Sequence, residues 1–141
     1  MVHALDEIER TLKPGGILID LRPLADHWTV EVSTLADFKT AGYLTDMPVG
    51  LADDEAANRA MQEAEARGWF TRKRSEEFSF FYYWDTPSEM KEFMESEWED
   101  FEKMEEDVYR KARSLWASAN ADARLRVRVK MFITQWEKWW S

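Results

Sequence analysis

From Arg124 the chain alternates without a break. Leu125, Val127, Val129, Met131 and Ile133 fall on one side of an extended backbone, and Arg124, Arg126, Arg128 and Lys130 fall on the other. A helix would scatter both sets around its circumference, whereas a repeat of two is the side-chain period of a β-strand with one face buried. This segment is therefore a strand, and its backbone N–H and C=O groups oblige the rest of the chain to supply neighbours for it.

Other parts of the sequence can be those neighbours. Ile17-Leu18-Ile19-Asp20-Leu21 is a short apolar run ended by Pro23, and its lack of alternation predicts a strand covered on both faces. Residues 29–34 alternate Val30 and Val32 with Thr29, Glu31 and Ser33, which predicts a half-exposed strand, and residues 43–49 form a weaker candidate. Residues 69–84 end in Phe78-Ser79-Phe80-Phe81-Tyr82-Tyr83-Trp84, a composition that predicts an interior strand. Between the strands lie two helical patterns. Ala4, Leu5, Ile8 and Leu12 mark a short N-terminal helix ended by Pro14-Gly15-Gly16. From Asp53 and Asp54 an alanine-rich helix places Ala57, Ala60, Met61 and Ala64 on one side and closes at Gly68.

Charge is concentrated in one place. Residues 85–107 hold eleven acidic and two basic side chains, so they carry the whole net charge of −9 and the remaining 118 residues are balanced. Met90, Phe93, Met94, Trp98, Phe101, Met104 and Val108 recur at helical steps through this run. Thr86, Pro87 and Glu89 supply an N-cap hydroxyl, a first-turn proline and a capping-box carboxylate, and Arg110, Lys111 and Arg113 place cations toward the far end. The pattern predicts a long acidic helix over 87–117, with at most one break. Its acidic face reads as a solvated surface before it reads as a dock for a basic partner or a cation. For the basic stripe on the final strand, the acidic helix or another subunit's copy of it is the expected counter-charge.

Composition narrows the function classes. The 141 residues contain no cysteine and only His3 and His27, which leaves no thiolate nucleophile, disulfide framework or histidine cluster for a metal. A balanced remainder offers no basic surface to neutralise phosphates, so no nucleic-acid partner is expected. No uncharged run exceeds the eight residues from Ser114 to Ala121, and the residues after Met1 do not read as a leader. The expectation is a cytoplasmic domain with no membrane partner.

The Pro14-Gly15-Gly16 turn carries a family resemblance. Glu7-Ile8-Glu9-Arg10 on a helix, then Leu12-Lys13-Pro14-Gly15-Gly16, then a strand Ile17-Leu18-Ile19-Asp20 closing on Leu21-Arg22-Pro23, resembles the middle of a class I S-adenosylmethionine-dependent methyltransferase. In that family the stretch leads into the fifth strand, and a helix, a sixth strand and a seventh strand inserted antiparallel between the sixth and fifth follow. The resemblance implies that residues 52–67 are that helix, 69–84 the sixth strand, 124–136 the seventh, and the acidic helix an insertion between them. The family's cofactor grip, a glycine-rich loop after the first strand with an acidic residue ending the second, precedes the matched region. Gly15 and Gly16 cannot replace it, because they follow a helix and precede a strand, the reverse of the order that sets a ligand on a helix N-terminus. The expected fold is thus one α+β domain over residues 1–141, derived from an α/β methyltransferase sheet. It has a small mixed, largely antiparallel sheet, a short N-terminal helix, an alanine-rich helix and one long acidic helix.

Functional expectations are correspondingly spare. No catalytic, cofactor-binding or metal residue carries over, and no cofactor is expected for this chain alone. In some family members residues just past the fifth strand line the acceptor pocket, which implies Arg22 and His27. Asp20, Arg22, Asp26 and His27 are also the only titratable types clustered by a strand end, where a histidine beside a carboxylate suits a general base. An ordinary polar loop is the preferred reading, because no nucleophile or metal set accompanies the histidine. The aromatic strand reads as core before it reads as a ligand pocket. Trp98, Trp116, Trp136, Trp139 and Trp140 exceed what a small core hides, so some are expected at a contact surface.

Without a fourth strand, the edge formed by Ile17, Ile19 and Leu21 lies open, and a two-fold partner is expected to cover it. The competing outcome is that residues 29–34 fold back onto it. The leading expectation is a self-associating, non-catalytic methyltransferase-like domain forming a homodimer. The alternatives are a small-molecule methyltransferase whose cofactor-binding half comes from another chain or is missing here, and a dimeric domain binding an apolar ligand.

Overall fold

The computed structural model describes residues 2–139, so Trp140 of the tryptophan-rich end lies outside the described residues. The elements follow in the order α1 (Val2–Thr11), β1 (Ile17–Pro23), β2 (Thr29–Ser33), β3 (Phe38–Tyr43), β4 (Thr45–Asp46), α2 (Pro48–Ala66), β5 (Phe70–Trp84), α3 (Pro87–Glu97), β6 (Glu102–Lys103), α4 (Glu106–Ala117) and β7 (Arg124–Lys138). The fold is α+β. β7 runs antiparallel to β1 and to β2, β2 to β3, and β4 to β6, while β5 also pairs with β7. Two compact units share this chain, one holding residues 2–24, 52–78 and 131–139, the other residues 25–51 and 79–130.

In the first unit, β1 pairs with β7 from Ile17 opposite Glu137 to Pro23 opposite Met131. The two helices cover one face of this sheet. Leu5 from α1, Ala60, Met61 and Ala64 from α2, Phe70 from β5 and Trp136 from β7 form the buried core, with Ile8, Leu12, Leu18 and Trp69 packed against it. The small side chains of Ala57, Ala60 and Ala64 all face inward, as their spacing predicts. α2 closes where glycine permits a left-handed residue. At Gly68 φ is 75°, its N–H donates to Glu65 O at 3.0 Å, and the Trp69 N–H donates to Ala64 O at 3.0 Å, which satisfies two of the last helical carbonyls. The Pro14-Gly15-Gly16 turn is tied to β7. Gly15, at φ 78°, donates to Lys138 O at 3.2 Å, Lys138 N–H donates to Gly16 O at 2.8 Å, and the Lys138 ammonium reaches Leu12 O at 2.6 Å. A cation on those carbonyls is favourable at a helix C-terminus.

Two expectations fail here, for the same reason: helices cover only one side. β1 is not enclosed on both faces. Leu18, Asp20 and Arg22 are half-buried, while Ile17, Ile19 and Leu21 are 54%, 52% and 52% exposed. β5 is not an interior strand either. Among the described residues it pairs with β7 alone, and Arg72 through Phe80 are exposed.

In the second unit, β2 lies between β3 and β7, with Thr29 opposite both Tyr43 and Arg128. Its expected half-exposure is overturned. Val30, Glu31 and Val32 are all buried, because α4 packs on β2 and β3 over the valines and Glu31, on the opposite face, is met by Arg126 and Arg128. β3 has no counterpart among the elements expected from sequence, and residues 43–49 contribute only β4 before α2 begins at Pro48, five residues ahead of Asp53. The acidic helix is broken once, into α3 and α4, with Trp98 at the C-cap of α3 and β6 in the interruption. The start of α3 has the hydroxyl cap and first-turn proline as read, while the Glu89 carboxylate reaches one residue past the N-cap. Thr86 Oγ1 accepts from Glu89 N–H at 3.3 Å, and a Glu89 carboxylate oxygen accepts from Asp85 N–H at 3.3 Å. β7 keeps its predicted face through Leu125, Val127 and Val129, but in the first unit the buried residues are Thr134 and Trp136. Met131 and Ile133 are accordingly only half-buried.

α4 approaches β3 closely enough to require glycine. A Cβ at Gly42 would lie 2.8 Å from Val108 Cγ2 and 3.2 Å from Val108 Cγ1. Gly42→Ala is expected to cost about 1–3 kcal/mol by overpacking, read as a lower urea midpoint at unchanged slope. Val108→Ala in the same chain should recover part of that loss. A double variant no more stable than Gly42→Ala would refute the contact.

Candidate functional site

The polar residues beside β1 are divided between the two units. Asp20 and Arg22 belong to the first unit and bond each other twice, Arg22 Nε to Asp20 Oδ1 at 2.8 Å and Arg22 Nη2 to Asp20 Oδ2 at 3.0 Å. Arg22 Nη2 also donates to Asn58 Oδ1 on α2 at 3.2 Å. They project alternately with Ile17, Ile19 and Leu21, onto the face that carries the helices, which gives the pair a role in packing. His27 and Asp26 belong to the second unit. His27 sits at φ 48°, unusual for a side-chain-bearing residue, and its backbone N–H donates to both oxygens of Asp46, at 3.3 and 3.2 Å. The His27 ring is exposed, with Nδ1 3.8 Å from Asp46 Oδ2. The carboxylate near the histidine is therefore Asp46, nineteen residues away, which no local motif reveals. Asp26 instead accepts from Lys130 Nζ at 2.9 Å, and this hydrogen bond, together with the ammonium's charge and a smaller contribution from His27, holds the Asp26 carboxyl below its ordinary range. His3 is exposed on α1.

The basic face of β7 meets partners other than the acidic helices. Register decides this: Glu31 lies directly opposite Arg126 across the β2–β7 ladder. Arg126 Nε donates to Glu31 Oε1 at 2.5 Å and Arg128 Nε to Glu31 Oε2 at 3.0 Å. The Glu31 side chain is 2% exposed and that of Arg126 11%. Aromatic rings complete the enclosure. The Arg126 guanidinium lies 4.6 Å from the Phe38 ring centre and 4.5 Å from that of Phe81, and Arg128 lies 5.1 and 4.8 Å from the same rings. Ring faces attract a guanidinium while excluding water. Burial works against the Arg126 charge, but hydrogen bonds to Tyr83 and Glu31 outweigh it and raise its pKa. At the ends of the stripe, Arg124 pairs with Asp85 at 3.2 Å and Lys130 with Asp26. The expected pairing with the acidic helix is thus corrected: Asp85 precedes α3, and Glu31 and Asp26 belong to β2 and the turn before it.

The aromatic end of β5 is divided between two tasks in the second unit. Phe81 and Tyr83 lie against the arginines, while Tyr82 and Trp84 pack with Phe93 and Trp98 at centroid distances of 5.1 to 6.0 Å. Trp28 meets Trp98 edge-on at 5.4 Å. A cleft of about 310 Å³ in the same unit is lined by Met94, Met104, Tyr109, Glu95 and Lys91 among others, and none of the β5 aromatics borders it. Lys91 stands 4.0 Å from Glu95 and 4.9 Å from the Tyr109 ring centre, so charges of both signs meet there. Among the described residues no group of three or more His, Cys, Asp or Glu is placed to hold a metal ion, and no helix is long and apolar enough to cross a membrane. Of the tryptophans expected at a surface, Trp98 and Trp136 are buried, Trp116 is half-buried and Trp139 is 55% exposed.

The surface that stands out is the bare side of the first unit's sheet. Ile17, Ile19 and Leu21 lie on it with Ile133, and a shallow groove of about 260 Å³ runs there between Ile19, Ile133, Gln135, Arg74 and Glu76. Residues 29–34 do not fold back over the β1 edge; they pair with β7 and β3. No family model, curated protein or solved structure matches the chain.

Removing the Glu31 charge leaves two arginines enclosed without their anion. Glu31→Gln is expected to destabilise by about 3 kcal/mol, since breaking a buried pair costs far more than the pair itself contributes; denaturant unfolding measures it, and a loss below about 1 kcal/mol would show that water already screens the cluster. Asp26 offers a titration test. Because its folded pKa is depressed, its pairing contributes stability above the unfolded carboxyl pKa and loses it as pH falls through the folded value. Lys130→Met should move the Asp26 titration, followed by carboxyl NMR shifts, upward toward the ordinary value. No movement would exclude the pair in solution.

Proposed function

We propose that this chain is a self-associating, methyltransferase-like domain with no catalysis of its own, acting in the cytoplasm as an assembly element. One observation carries the proposal: three large aliphatic side chains in a row, Ile17, Ile19 and Leu21, stand half-exposed on an uncovered sheet face. Exposed apolar surface of this kind marks association sites, and an unprotected edge strand beside it invites pairing. A second copy is the occupant, since a patch around one two-fold axis matches itself. The likeness to the methyltransferase sheet is supported by the first unit's strand arrangement. β7 pairs antiparallel with β1 and also pairs with β5, the place a seventh strand takes between the fifth and the sixth. A cytoplasmic setting agrees with the absence of cysteine.

The open β1 edge favours a second reading, in which a fourth strand from a separate cofactor-binding half pairs there and completes an S-adenosylmethionine-dependent enzyme. Calorimetric titration separates the two. The chain alone should give no heat with S-adenosylmethionine, and micromolar binding would overturn the non-catalytic reading. Light scattering at micromolar concentration should give a mass above one chain. Ile19→Lys should lower that mass, because a charge would be buried in the contact; a monomeric wild type would end the proposal.

A further inference from the structure

β5 exposes an edge whose charges complement themselves. Its outer side faces no strand among the described residues, and within the first unit it reads Arg72-Lys73-Arg74-Ser75-Glu76-Glu77-Phe78, all exposed. Three cations precede Ser75 and two anions follow it. A two-fold axis at Ser75, relating two such strands antiparallel, sets Arg74 opposite Glu76 of the other copy, Lys73 opposite Glu77, and Ser75 opposite itself. Each charged opposition occurs twice by symmetry. A parallel alignment in register would set cation on cation and anion on anion, and moving the antiparallel register two residues toward the basic side would place Arg74 opposite Arg74. Opposite charges directly across an antiparallel ladder attract and like charges repel, so the pattern selects one register.

Edge strands of natural proteins are commonly blunted by charged side chains, lysine above all. Here both signs occur in a block order, and of the two-fold registers centred on residues 73–77 only the one about Ser75 sets no like charges opposite. Within one chain Arg74 already contacts Glu76 at 2.6 Å and Lys73 approaches Glu137 at 4.0 Å. All of these side chains are solvent-accessible, so they can exchange partners across the axis without leaving water.

We infer that β5 is a homotypic pairing edge, through which a second copy of this chain adds its own β5 antiparallel about Ser75. The contact runs along the edge of the sheet and not over the bare face of β1, although Arg74 and Glu76 also border the groove on that face, and both contacts belong to the same general reading of the chain as self-associating. Directly opposed residues of an antiparallel pair have Cα atoms about 4.5–5.5 Å apart, within the range a disulfide spans. The chain has no other cysteine, so Ser75→Cys reports on this register alone. Under mild oxidation it should form a covalent dimer, while Ser88→Cys, exposed at the start of α3, should form at least tenfold less. Ser75 Oγ lies 3.1 Å from Thr134 Oγ1, so a measurement that spares Ser75 is also needed. Arg74→Glu and Glu76→Arg should each weaken pairing at least tenfold in sedimentation, and an equimolar mixture of the two should restore it, because every opposition in the mixed pair is again between unlike charges. Equal cross-linking at positions 75 and 88, or a mixture that associates no better than its components, would overturn the inference. Ile19→Lys separates the two contacts. If it abolishes all association while Arg74→Glu changes nothing, β1 alone carries assembly and the β5 pairing falls. If the Ser75→Cys variant cross-links and Ile19→Lys leaves the mass unchanged, the β5 edge stands and the β1 proposal falls.

Discussion

Among the described residues, every long strand pairing except β2 with β3 is made to β7. β1 takes its residues 131–137 and β2 its residues 124–128, while β5 pairs with it as well. A backbone amide or carbonyl left dry and unpaired costs as much as a lost hydrogen bond, so the strand's demand for partners organises both units. Even the Pro14-Gly15-Gly16 turn obeys it, closing onto Lys138 through two backbone bonds and receiving that lysine's ammonium on the carbonyls of α1.

The two units solve the problem of a two-sided sheet differently. In the second, β2 is buried with a glutamate at its centre, and two arginines and two phenylalanine rings make that burial tolerable. Such an enclosure contributes little net stability against an apolar equivalent, but it fixes register, because a slip of one residue would turn Glu31 away from both cations. In the first unit no comparable device covers the second face. Aliphatic side chains there meet water, and the adjoining edge of β5 carries the charges.

The elements are legible in the sequence where one physical rule acts alone. The alternation from Arg124, the alanine spacing of α2 and the Thr86, Pro87 and Glu89 signals each depend on local geometry, and all three appear in the structure. β3 is hidden because Phe38-Lys39-Thr40-Ala41-Gly42-Tyr43 has neither alternation nor β-branched density beyond one threonine, and Gly42 serves the approach of α4. The burial of β2 is illegible because Glu31 looks like a solvent residue until Arg126 is known to stand opposite it. β1 and β5 mislead through one assumption, that apolar or aromatic strands imply cover on both sides. His27 reads with its sequence neighbours, whereas its carboxylate comes from Asp46.

The position of β7 in chain order has a consequence for the newly made protein. It is the last element among the described residues, so a ribosome releases β1, β2 and β5 long before the strand they all require. Until then β2 has β3 beside it but lacks its other neighbour, the edges of β1 and β5 lack the strand they pair with, and pairings this distant in sequence form slowly. Lysine, arginine and glutamate along the middle of β5 would restrict what that waiting strand can pair with to a run of complementary charge, so a chain caught during synthesis depends on its charge pattern before it has a core.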